Sequence, residues 1–385
     1  MIRGICVIHE GFPGHYNQSL GIAERINDKV GCPIKEIQLS NTDKSNQFVR
    51  HRKQVQKLIA SSDNDLKEWL NWSGNGEILK EIQKWIHDEN LRPEEVLLLS
   101  MGSQISLFIY IIGKIVSSPT AIIGLSRYID YRLYEYVIMP EDKLHTIYPQ
   151  KVFQKNPEKV YALCGAATRM NKEFLTESKE KMLQNYPLKL GNCWGVLIGG
   201  HADSLQMHPE KMQKFFQNIR FEAETVGADI YACTSRRTPV EIEEKLVSIF
   251  KDSPNTRLLW LASEKAGNPV PGIVGLAERV YCTEDSVTMI FEVLAAKKNV
   301  ILIPCEPAET PLKIFWRRLR KKIGALKNRP ITKISRFRKK YDMLREKKWG
   351  QYICEPAIDF LEPDFDEASQ IADWILANWK SDVQG

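Results

Sequence analysis

Short apolar runs alternate with helical patterns from the start of the chain. Five of these runs have the length and the β-branched content of buried strands: GICVIH, PIKEIQL, EVLLLS, TAIIGL and YEYVIMP. Apolar residues recur with helical spacing at about residues 17–29, 48–60, 76–89 and 103–117. The alternation predicts a mostly parallel sheet with helices on both faces.

The pattern starts again after a polar, helical segment. New strand-like runs read CWGVLIGG, ADIYACT, TRLLWL, ERVYCT and NVILIP, with helical patterns between them. The chain has 385 residues, which is too long for one ordinary core. We therefore predict an α/β protein with two Rossmann-like, doubly wound domains. The predicted domains are 1–168 and 191–362, with a hinge at 169–190, and a final helix within 363–385 is expected to complete the first domain.

The composition indicates a folded protein and gives no sign of a membrane span. Hydrophobic residues make up 43% of the chain and charged residues 26%, and no apolar run approaches the length of about 20 residues that spans a bilayer. The eight cysteines form no CxxC pair, which favours buried thiols in a reducing cytoplasm. The strand-to-helix turns contain no DxD-type metal signature, and the sequence has neither a GxGxxG motif nor His-rich metal spacing, so we expect neither a metal ion nor a bound cofactor.

Ligands of parallel sheets bind where strands end and helices begin, so the strand-to-helix turns are the candidate sites. In the first turn, HEGFPGHYN, Glu10 and His15 stand on either side of a glycine-bracketed bend that includes Gly14. A carboxylate and an imidazole could act as the general base toward an acceptor hydroxyl, with Gly14 close to the acceptor. The alternative is an ordinary turn with a solvated glutamate and a capping histidine.

The turn after EVLLLS brings Gly102 and Ser103 to the start of an apolar helix. Their backbone amides could hold an acceptor or an anion. Ser103 could equally be a simple helix cap.

In the second domain two turns have the chemistry of phosphate binding. Gly199 and Gly200 follow a strand directly, so the backbone can approach a bound group, and His201 and Ser204 are near enough to contribute. The second turn ends a strand with Ser235, Arg236 and Arg237, and guanidinium groups there could clamp phosphate oxygens. An exposed arginine pair without a ligand is the alternative.

The segment YCTEDSVTMIFE puts polar residues ahead of an almost wholly apolar helix. With Asp285 as the helix cap, Asp285, Thr288 and Glu292 fall on one stripe of an otherwise buried helix. A ribose diol suits Glu292, and the amides near Ser286 suit a phosphate. The alternative is a plain cap, with Glu292 in solvent or paired with an arginine. The polar residues of this turn are Thr283, Glu284, Asp285 and Ser286.

TEDSVTMIFEVLAAKKNVILI resembles the [TS]-E-D-S-x-[ST]-M-x-x-E-A segment of the ELM1-like family. GFPGHYNQSLGIAERI, VYALCGAATRMN, VLIGGHADS and TSRRTP resemble further stretches of that family, in order over about residues 5 to 325. This sequence departs from the family pattern at Val293, at Asn299 and in its basic tail.

The ELM1-like family is similar to GT-B glycosyltransferases, which have two Rossmann-like domains facing each other across a cleft. The resemblance implies that Glu292 binds the nucleotide ribose and that Gly199 and Gly200 form a phosphate-side loop. It also implies that Glu10 or His15 supplies the base.

A basic segment at residues 313–348 carries a net charge of +14, so the rest of the chain carries −8. Aromatic residues are interspersed with its cations, a pattern that suits an anionic membrane surface. A solvated charged face is the alternative. No nucleic-acid reading motif accompanies the charge, so we expect no nucleic acid partner.

These features favour an inverting, metal-independent glycosyltransferase at the cytoplasmic face of the membrane. Its expected partners are a nucleotide-sugar donor and a glycan or lipid-linked acceptor, such as a precursor of lipopolysaccharide or another surface glycan. Two alternatives stay open: a nucleotide-sugar 2-epimerase, and a non-catalytic, membrane-associated scaffold with the same fold.

Overall fold

The computed structural model describes residues 1–40, 48, 51–124, 129–141, 158–201, 205–308, 315, 319 and 334–379, of which 334–338 are described in their backbone only. The chain forms two compact units. The first unit is Met1–Arg169 with Glu367–Gly385, and the second is Met170–Asp366.

The strands and helices are numbered in chain order through the described residues. The strands are β1 (Gly4–His9), β2 (Ile34–Gln38), β3 (Val96–Met101), β4 (Thr120–Ile123), β5 (Tyr136–Pro140), β6 (Val160–Leu163), β7 (Asn192–Ile198), β8 (Leu205–Gln206), β9 (Ala228–Thr234), β10 (Thr256–Trp260), β11 (Arg279–Thr283), β12 (Val300–Ile303), β13 (Glu306–Pro307) and β14 (Gly350–Tyr352). The α-helices are α1 (Pro13–Val30), α2 (Arg52–Ile59), α3 (Asp63–Trp72), α4 (Glu77–Asp88), α5 (Ser106–Val116), α6 (Lys172–Asn185), α7 (Pro209–Val226), α8 (Val240–Phe250), α9 (Val270–Leu276), α10 (Val287–Ala295), α11 (Ile334–Glu346) and α12 (Glu367–Ala377).

The first unit is built on a six-stranded sheet with the order β2-β1-β3-β4-β5-β6. All of its strand pairs are parallel. The chain leaves β1 for β2 on one side and later returns to β3 on the other side. The topological switch point, where ligands of such sheets usually bind, therefore lies between β1 and β3.

The second unit repeats this plan with the order β10-β9-β7-β11-β12-β14, again parallel throughout. Its switch point lies between β7 and β11, because the chain runs outward from β7 through β9 to β10 before it returns to β11. A small antiparallel pair, β8 with β13, lies beside this sheet. The predicted α/β class with two doubly wound parallel sheets is confirmed.

Alternate residues of each strand explain why both faces of the first sheet are covered. Ile8 and Leu98 belong to the apolar cluster that includes α5, whereas Val7 and Leu99 belong to the cluster on the opposite face. Helices α1 and α12 cover that second face, and α12 contributes Ile371 to it. The final helix thus lies in the first unit.

The structure differs from the sequence expectations at several element boundaries. Helix α1 begins at Pro13 rather than near residue 17, because Gly11 takes the bend (φ 81°) and proline suits a first helical position. The segment 169–190, expected as a hinge, contributes α6 to the second unit, where it packs on α9. Strands β6 and β14 were not predicted, since each is very short. In the described part of the chain, no helix is long and apolar enough to cross a membrane.

Candidate functional site

Glu10 and His15 form a hydrogen-bonded pair at the switch point of the first sheet. Glu10 follows the last residue of β1, and the first turn of α1 brings His15 back toward it, so that Nδ1 of the imidazole lies 2.7 Å from Oε1 of the carboxylate. The Glu10 side chain is 1% exposed and the His15 side chain 38%. The buried carboxylate therefore holds one ring nitrogen of a partly exposed imidazole.

Gly102 closes this pair from the side of β3. A Cβ atom at this position would lie 3.2 Å from Nδ1 of His15 and 3.4 Å from Oε1 of Glu10, and the backbone has a φ of +124° that only glycine adopts easily. The Gly102 amide donates to the carbonyl of Ile123. This amide is therefore engaged within the sheet, and the role of Gly102 at an acceptor stays a prediction.

Ser103 and Gly14 have different surroundings from those expected. Helix α5 begins at Ser106 with Ile105 as its cap residue, so Ser103 does not cap it, and its carbonyl accepts the Ser106 hydroxyl at 2.7 Å. Gly14 is exposed, with no atom within 4 Å of where a Cβ would stand.

One oxygen of the Glu10 carboxylate, Oε2, is buried and has no hydrogen-bond partner among the described residues. Buried carboxylate oxygens are normally satisfied, and those that are not often belong to functional sites. This oxygen lies on the carboxylate that holds His15, so the unmet hydrogen-bonding capacity belongs to the candidate base pair itself.

Sequence reasoning missed three side chains beside this pair. His9 contacts Tyr16 with ring centroids 4.6 Å apart, and burial lowers the pKa of His9. Burial, with a hydrogen bond from the Tyr16 hydroxyl to Glu36, raises the pKa of Tyr16 to about 12. Phe12 meets the edge of the His15 ring at 5.9 Å. The sequence pattern could have pointed to Phe12, because it is a large apolar residue between two glycines, where a turn would expose it.

At the switch point of the second sheet, side chains of the β11 turn hold the glycine loop that follows β7. The Gly199 amide donates to the Thr283 hydroxyl at 2.8 Å, and the Gly200 amide donates to Oδ2 of Asp285 at 2.7 Å. Asp285 therefore bonds across the sheet and does not cap α10, which corrects the sequence expectation. Burial raises the pKa of Asp285 despite these bonds.

Gly199 and Gly200 lie so close to neighbouring atoms that a Cβ fits at neither position. A Cβ on Gly199 would lie 2.3 Å from Oδ2 of Asp285, and a Cβ on Gly200 would lie 2.1 Å from the carbonyl oxygen of Arg237. The loop after β7 thus packs against the Asp285 side chain of the β11 turn and against the backbone of the loop after β9. Thr238, which the sequence did not single out, adds to this by donating its hydroxyl to the Gly199 carbonyl.

Glu284 is directed away from the glycine loop, although it adjoins Asp285. Its Oε1 accepts the Cys305 amide at 3.1 Å, and its Oε2 accepts the Tyr352 hydroxyl at 2.8 Å. The Tyr341 hydroxyl donates to the Glu284 carbonyl. Glu284 ties this turn to β12, β14 and α11, so the fold itself accounts for a residue that we expected to bind the donor.

The arginine turn after β9 is open to solvent. Arg236 and Arg237 are exposed, and neither forms an ion pair with another described residue. The Ser235 amide donates to the Thr238 hydroxyl at 2.9 Å, which fixes the turn. Pro239 is the cap residue of α8 rather than part of its first turn.

Helix α10 presents an uncapped start and a buried acid. Its cap residue, Ser286, forms no side-chain capping bond, and Thr288 in the first turn is half-buried. Glu292 is buried, with no hydrogen bond or cation from the described residues at its carboxyl group, and burial raises its pKa to about 8. Among the described residues no arginine pairs with Glu292, and the residue is only 7% exposed.

His201 is exposed, and its Nδ1 accepts the Met207 amide at 3.4 Å. Ser204 lies outside the described residues. Most of the basic segment 313–348 also lies outside them, apart from 315, 319 and 334–348.

Two parallel six-stranded sheets, each with polar turns at its own switch point, define an α/β protein of the GT-B type. The UDP-GlcNAc 2-epimerase of Methanocaldococcus jannaschii is similar with a TM-score of 0.51 at 13% identity, over 97% of this chain and 99% of that one. The UDP-GlcNAc 2-epimerase of Neisseria meningitidis bound to UDP-GlcNAc gives 0.43 at 12%, over 97% and 99%. A glycosyl transferase family 9 protein of Veillonella parvula gives 0.43 at 11%, over 80% and 83%.

Residues 13–379 match the family described as Mitochondrial fission ELM1, so the chain belongs to this family. The resemblance noted in the sequence is confirmed. A comparison with curated protein sequences found no significant match.

Proposed function

We propose that this protein is an inverting, metal-independent glycosyltransferase that moves a sugar from a nucleotide-sugar donor to a hydroxyl of a glycan or a lipid-linked acceptor. The observation that carries the proposal is Glu292, a buried acid without a hydrogen bond or a cation from the described residues. A buried carboxyl group without a partner is costly. The hydroxyls of a nucleotide ribose would relieve that cost.

The second unit offers the groups that a nucleotide diphosphate needs. Arg236 and Arg237 are exposed and unpaired among the described residues, and the start of α10 has no side-chain cap. Guanidinium groups and free amides at a helix start both favour phosphate oxygens. Thr283 and Asp285 act as positioning residues in this proposal, because they hold the Gly199–Gly200 loop rather than a ligand.

The first unit supplies the base. Glu10 holds Nδ1 of His15, which leaves Nε2 to take the proton of the acceptor hydroxyl. The acceptor oxygen then bonds to the anomeric carbon while the bond from that carbon to the diphosphate oxygen breaks. The arginines and the α10 amides stabilise the negative charge that develops on the leaving diphosphate.

The basic segment supports a location at the membrane. Residues 313–348 carry a net charge of +14 with aromatic residues interspersed, and each cation near an anionic bilayer contributes about 1 kcal/mol. An acceptor that is anchored in lipid, as in surface-glycan synthesis, would be presented there. Vesicle sedimentation with and without anionic lipid tests this part, and deletion of 313–333, which keeps α11, should strongly reduce the difference.

A nucleotide-sugar 2-epimerase is the second candidate. The structure with a TM-score of 0.51 is that of a UDP-GlcNAc 2-epimerase, and the Glu10–His15 pair would suit proton transfer at a sugar carbon as well as at a hydroxyl. Proton NMR of labelled UDP-GlcNAc incubated without an acceptor distinguishes the epimerase from the transferase. Conversion into the 2-epimer favours the epimerase, whereas an intact or slowly hydrolysed donor favours the transferase.

Calorimetry with a panel of UDP-, GDP-, CMP- and dTDP-sugars tests the donor site. We expect one nucleotide class to bind, with a loss of about tenfold or more in Glu292→Ala and in Arg237→Ala. Glu241→Ala, which removes an exposed glutamate of α8, is the matched control and should bind like the wild type. If no nucleotide binds, or if Glu292→Ala binds as well as its control, the donor site is refuted and a scaffold role gains support.

A further inference from the structure

The turn between β1 and α1 carries an exposed aromatic ring, that of Phe12, and lies among carboxylates. Proton transfer by His15 requires neither the ring nor the surrounding charge. We propose that this turn is the acceptor subsite, and that it takes an uncharged sugar whose apolar face stacks on Phe12. The inference rests on the proposed transferase function, and it narrows the acceptor to a neutral glycan rather than a phosphorylated or otherwise anionic one.

Phe12 is placed as a platform beside the base. Its side chain is 48% exposed, and its ring meets the His15 imidazole edge-on with centroids 5.9 Å apart. Gly11 on one side has a φ of +81°, and Gly14 on the other side has open space where a Cβ would stand. Because glycine has no side chain, neither of these neighbours covers the Phe12 ring. The C–H face of a pyranose ring can lie on such an aromatic surface while one of its hydroxyls reaches His15.

The charges around the turn disfavour an anion. Glu10 and Glu36 contribute two carboxylates, and neither forms an ion pair with a lysine or arginine among the described residues. The cation that acts on Tyr16 is Arg169, which Glu24 already holds at 2.6 Å. A phosphate would therefore meet a negative field with no free guanidinium to bind it.

The start of α1 offers few free amides to an anion, chiefly that of Gly14. Pro13 has no N–H group, and the amides of His15 and Tyr16 both donate to the Phe12 carbonyl, at 3.0 and 2.9 Å. In the second unit exposed arginines follow β9, whereas the turn after β1 contains no lysine or arginine. The two turns thus differ in the ligand charge they favour.

Neutral hydrogen-bonding groups complete the subsite. The Gln38 side chain lies against the open side of Gly11, with its Nε2 atom 2.7 Å from where a Cβ would stand. An exposed amide of this kind can bond to sugar hydroxyls without adding charge. Aromatic ring, amide and imidazole together suit a neutral carbohydrate.

Saturation-transfer NMR on the full-length protein tests the subsite directly. The probes are the methyl glycosides of glucose, galactose and N-acetylglucosamine, each paired with its phosphate monoester. We expect at least one neutral glycoside to bind more tightly than its phosphate ester, with about a fivefold loss in Phe12→Ala and retained binding in Phe12→Trp. Phe221→Ala, which removes a 70% exposed phenylalanine from α7 of the second unit, is the matched control.

Three outcomes would overturn the inference: tighter binding of the phosphate esters, equal binding by Phe12→Ala and the control, or no binding of any glycoside. Nucleotide calorimetry on the same proteins keeps this result separate from the donor site. Phe12→Ala should bind the nucleotide like the wild type. If the wild type binds the nucleotide but none of the neutral glycosides, only the subsite is refuted, whereas absence of nucleotide binding in the wild type refutes the proposed function.

Discussion

At the switch point of the second sheet, Thr283 and Asp285 accept backbone amides of the neighbouring loop, and Glu284 accepts groups from the opposite side. At the switch point of the first sheet, Glu10 accepts from one imidazole and keeps a buried oxygen without a partner among the described residues. The turn after β11 is therefore a satisfied network, whereas the pair after β1 has unmet hydrogen-bonding capacity. A satisfied network fixes loop geometry, which suits binding, whereas a pair with unmet capacity suits proton transfer.

The glycines at the two switch points also differ in what they lie against. Gly199 makes room for the Asp285 side chain and Gly200 for the Arg237 backbone, so their effect is on the loop shape. Gly102 lies against the two functional side chains themselves, so its effect is on the orientation of His15 and Glu10. A comparison of substitutions at both switch points should separate loss of chemistry from loss of structure.

The largest expected effect is on chemistry at the first switch point. His15→Gln should lower kcat by about a thousandfold while nucleotide affinity stays unchanged, because the imidazole would accept a proton only during the reaction. Release of the nucleotide from the tightest-binding donor measures the rate. His87→Gln, at an exposed position of α4, is the control. A loss below tenfold in His15→Gln would remove the imidazole from the role of base.

The next effect is the pH dependence of stability at the second switch point. Burial raises the pKa of Glu292 to about 8, so the folded unit holds its proton more tightly than the unfolded chain. The stability that this proton provides is complete below the ordinary glutamate pKa and is lost as the pH rises toward 8. Relative to Glu292→Gln, the wild type should therefore lose roughly 3 kcal/mol between pH 5 and pH 8.

Urea unfolding at several pH values, with the second unit followed separately, measures this loss. Glu241→Gln, at an exposed position of α8, should show the pH dependence of the wild type. If the free energies of unfolding of the wild type and Glu292→Gln change with pH in the same way, Glu292 is charged and satisfied in the folded protein.

The third prediction compares the stability of Gly200→Ala with that of Gly14→Ala. Gly200→Ala should destabilise the second unit by about 2–3 kcal/mol, because its Cβ would meet the Arg237 carbonyl at 2.1 Å and the loop after β9 would have to move. Gly14→Ala should be neutral or slightly stabilising, since space is open there and alanine favours a helix. Thermal unfolding of both variants gives the answer, and similar melting temperatures would contradict the close packing of the loops.

The smallest effect is expected at Asp285. Asp285→Asn keeps an oxygen that can accept the Gly200 amide but removes its charge, so a loss of about 1 kcal/mol is expected, with a matching loss of nucleotide affinity. Asp252→Asn, at an exposed turn of the same unit, is the control for thermal unfolding and calorimetry. A loss no larger than in that control would show that Thr283 alone suffices to hold the loop.

The sequence predicted elements well where the pattern is local and long enough to read. Strand β1 coincides with the run GICVIH, and β9 coincides with ADIYACT, because β-branched and apolar residues fill both faces of a buried parallel strand. Strand β14 was missed, since its three residues have no period to read. The capping prediction for Asp285 failed because the competing partner, the Gly200 amide, is far away in sequence.

The residue pattern by itself determined the two doubly wound sheets and put the polar residues at the carboxyl ends of their strands, because strand and helix periods are local properties of the chain. Only the tertiary structure decided that Glu284 and Asp285 point to different partners, that Glu10 meets His15, and that Glu292 has no partner among the described residues. The contacts of Glu284 and Asp285 depend on which strands become neighbours, whereas Glu10 and His15 meet within one turn. Strand order brings Gly200 and Asp285 together from 85 positions apart, and no local pattern records that choice.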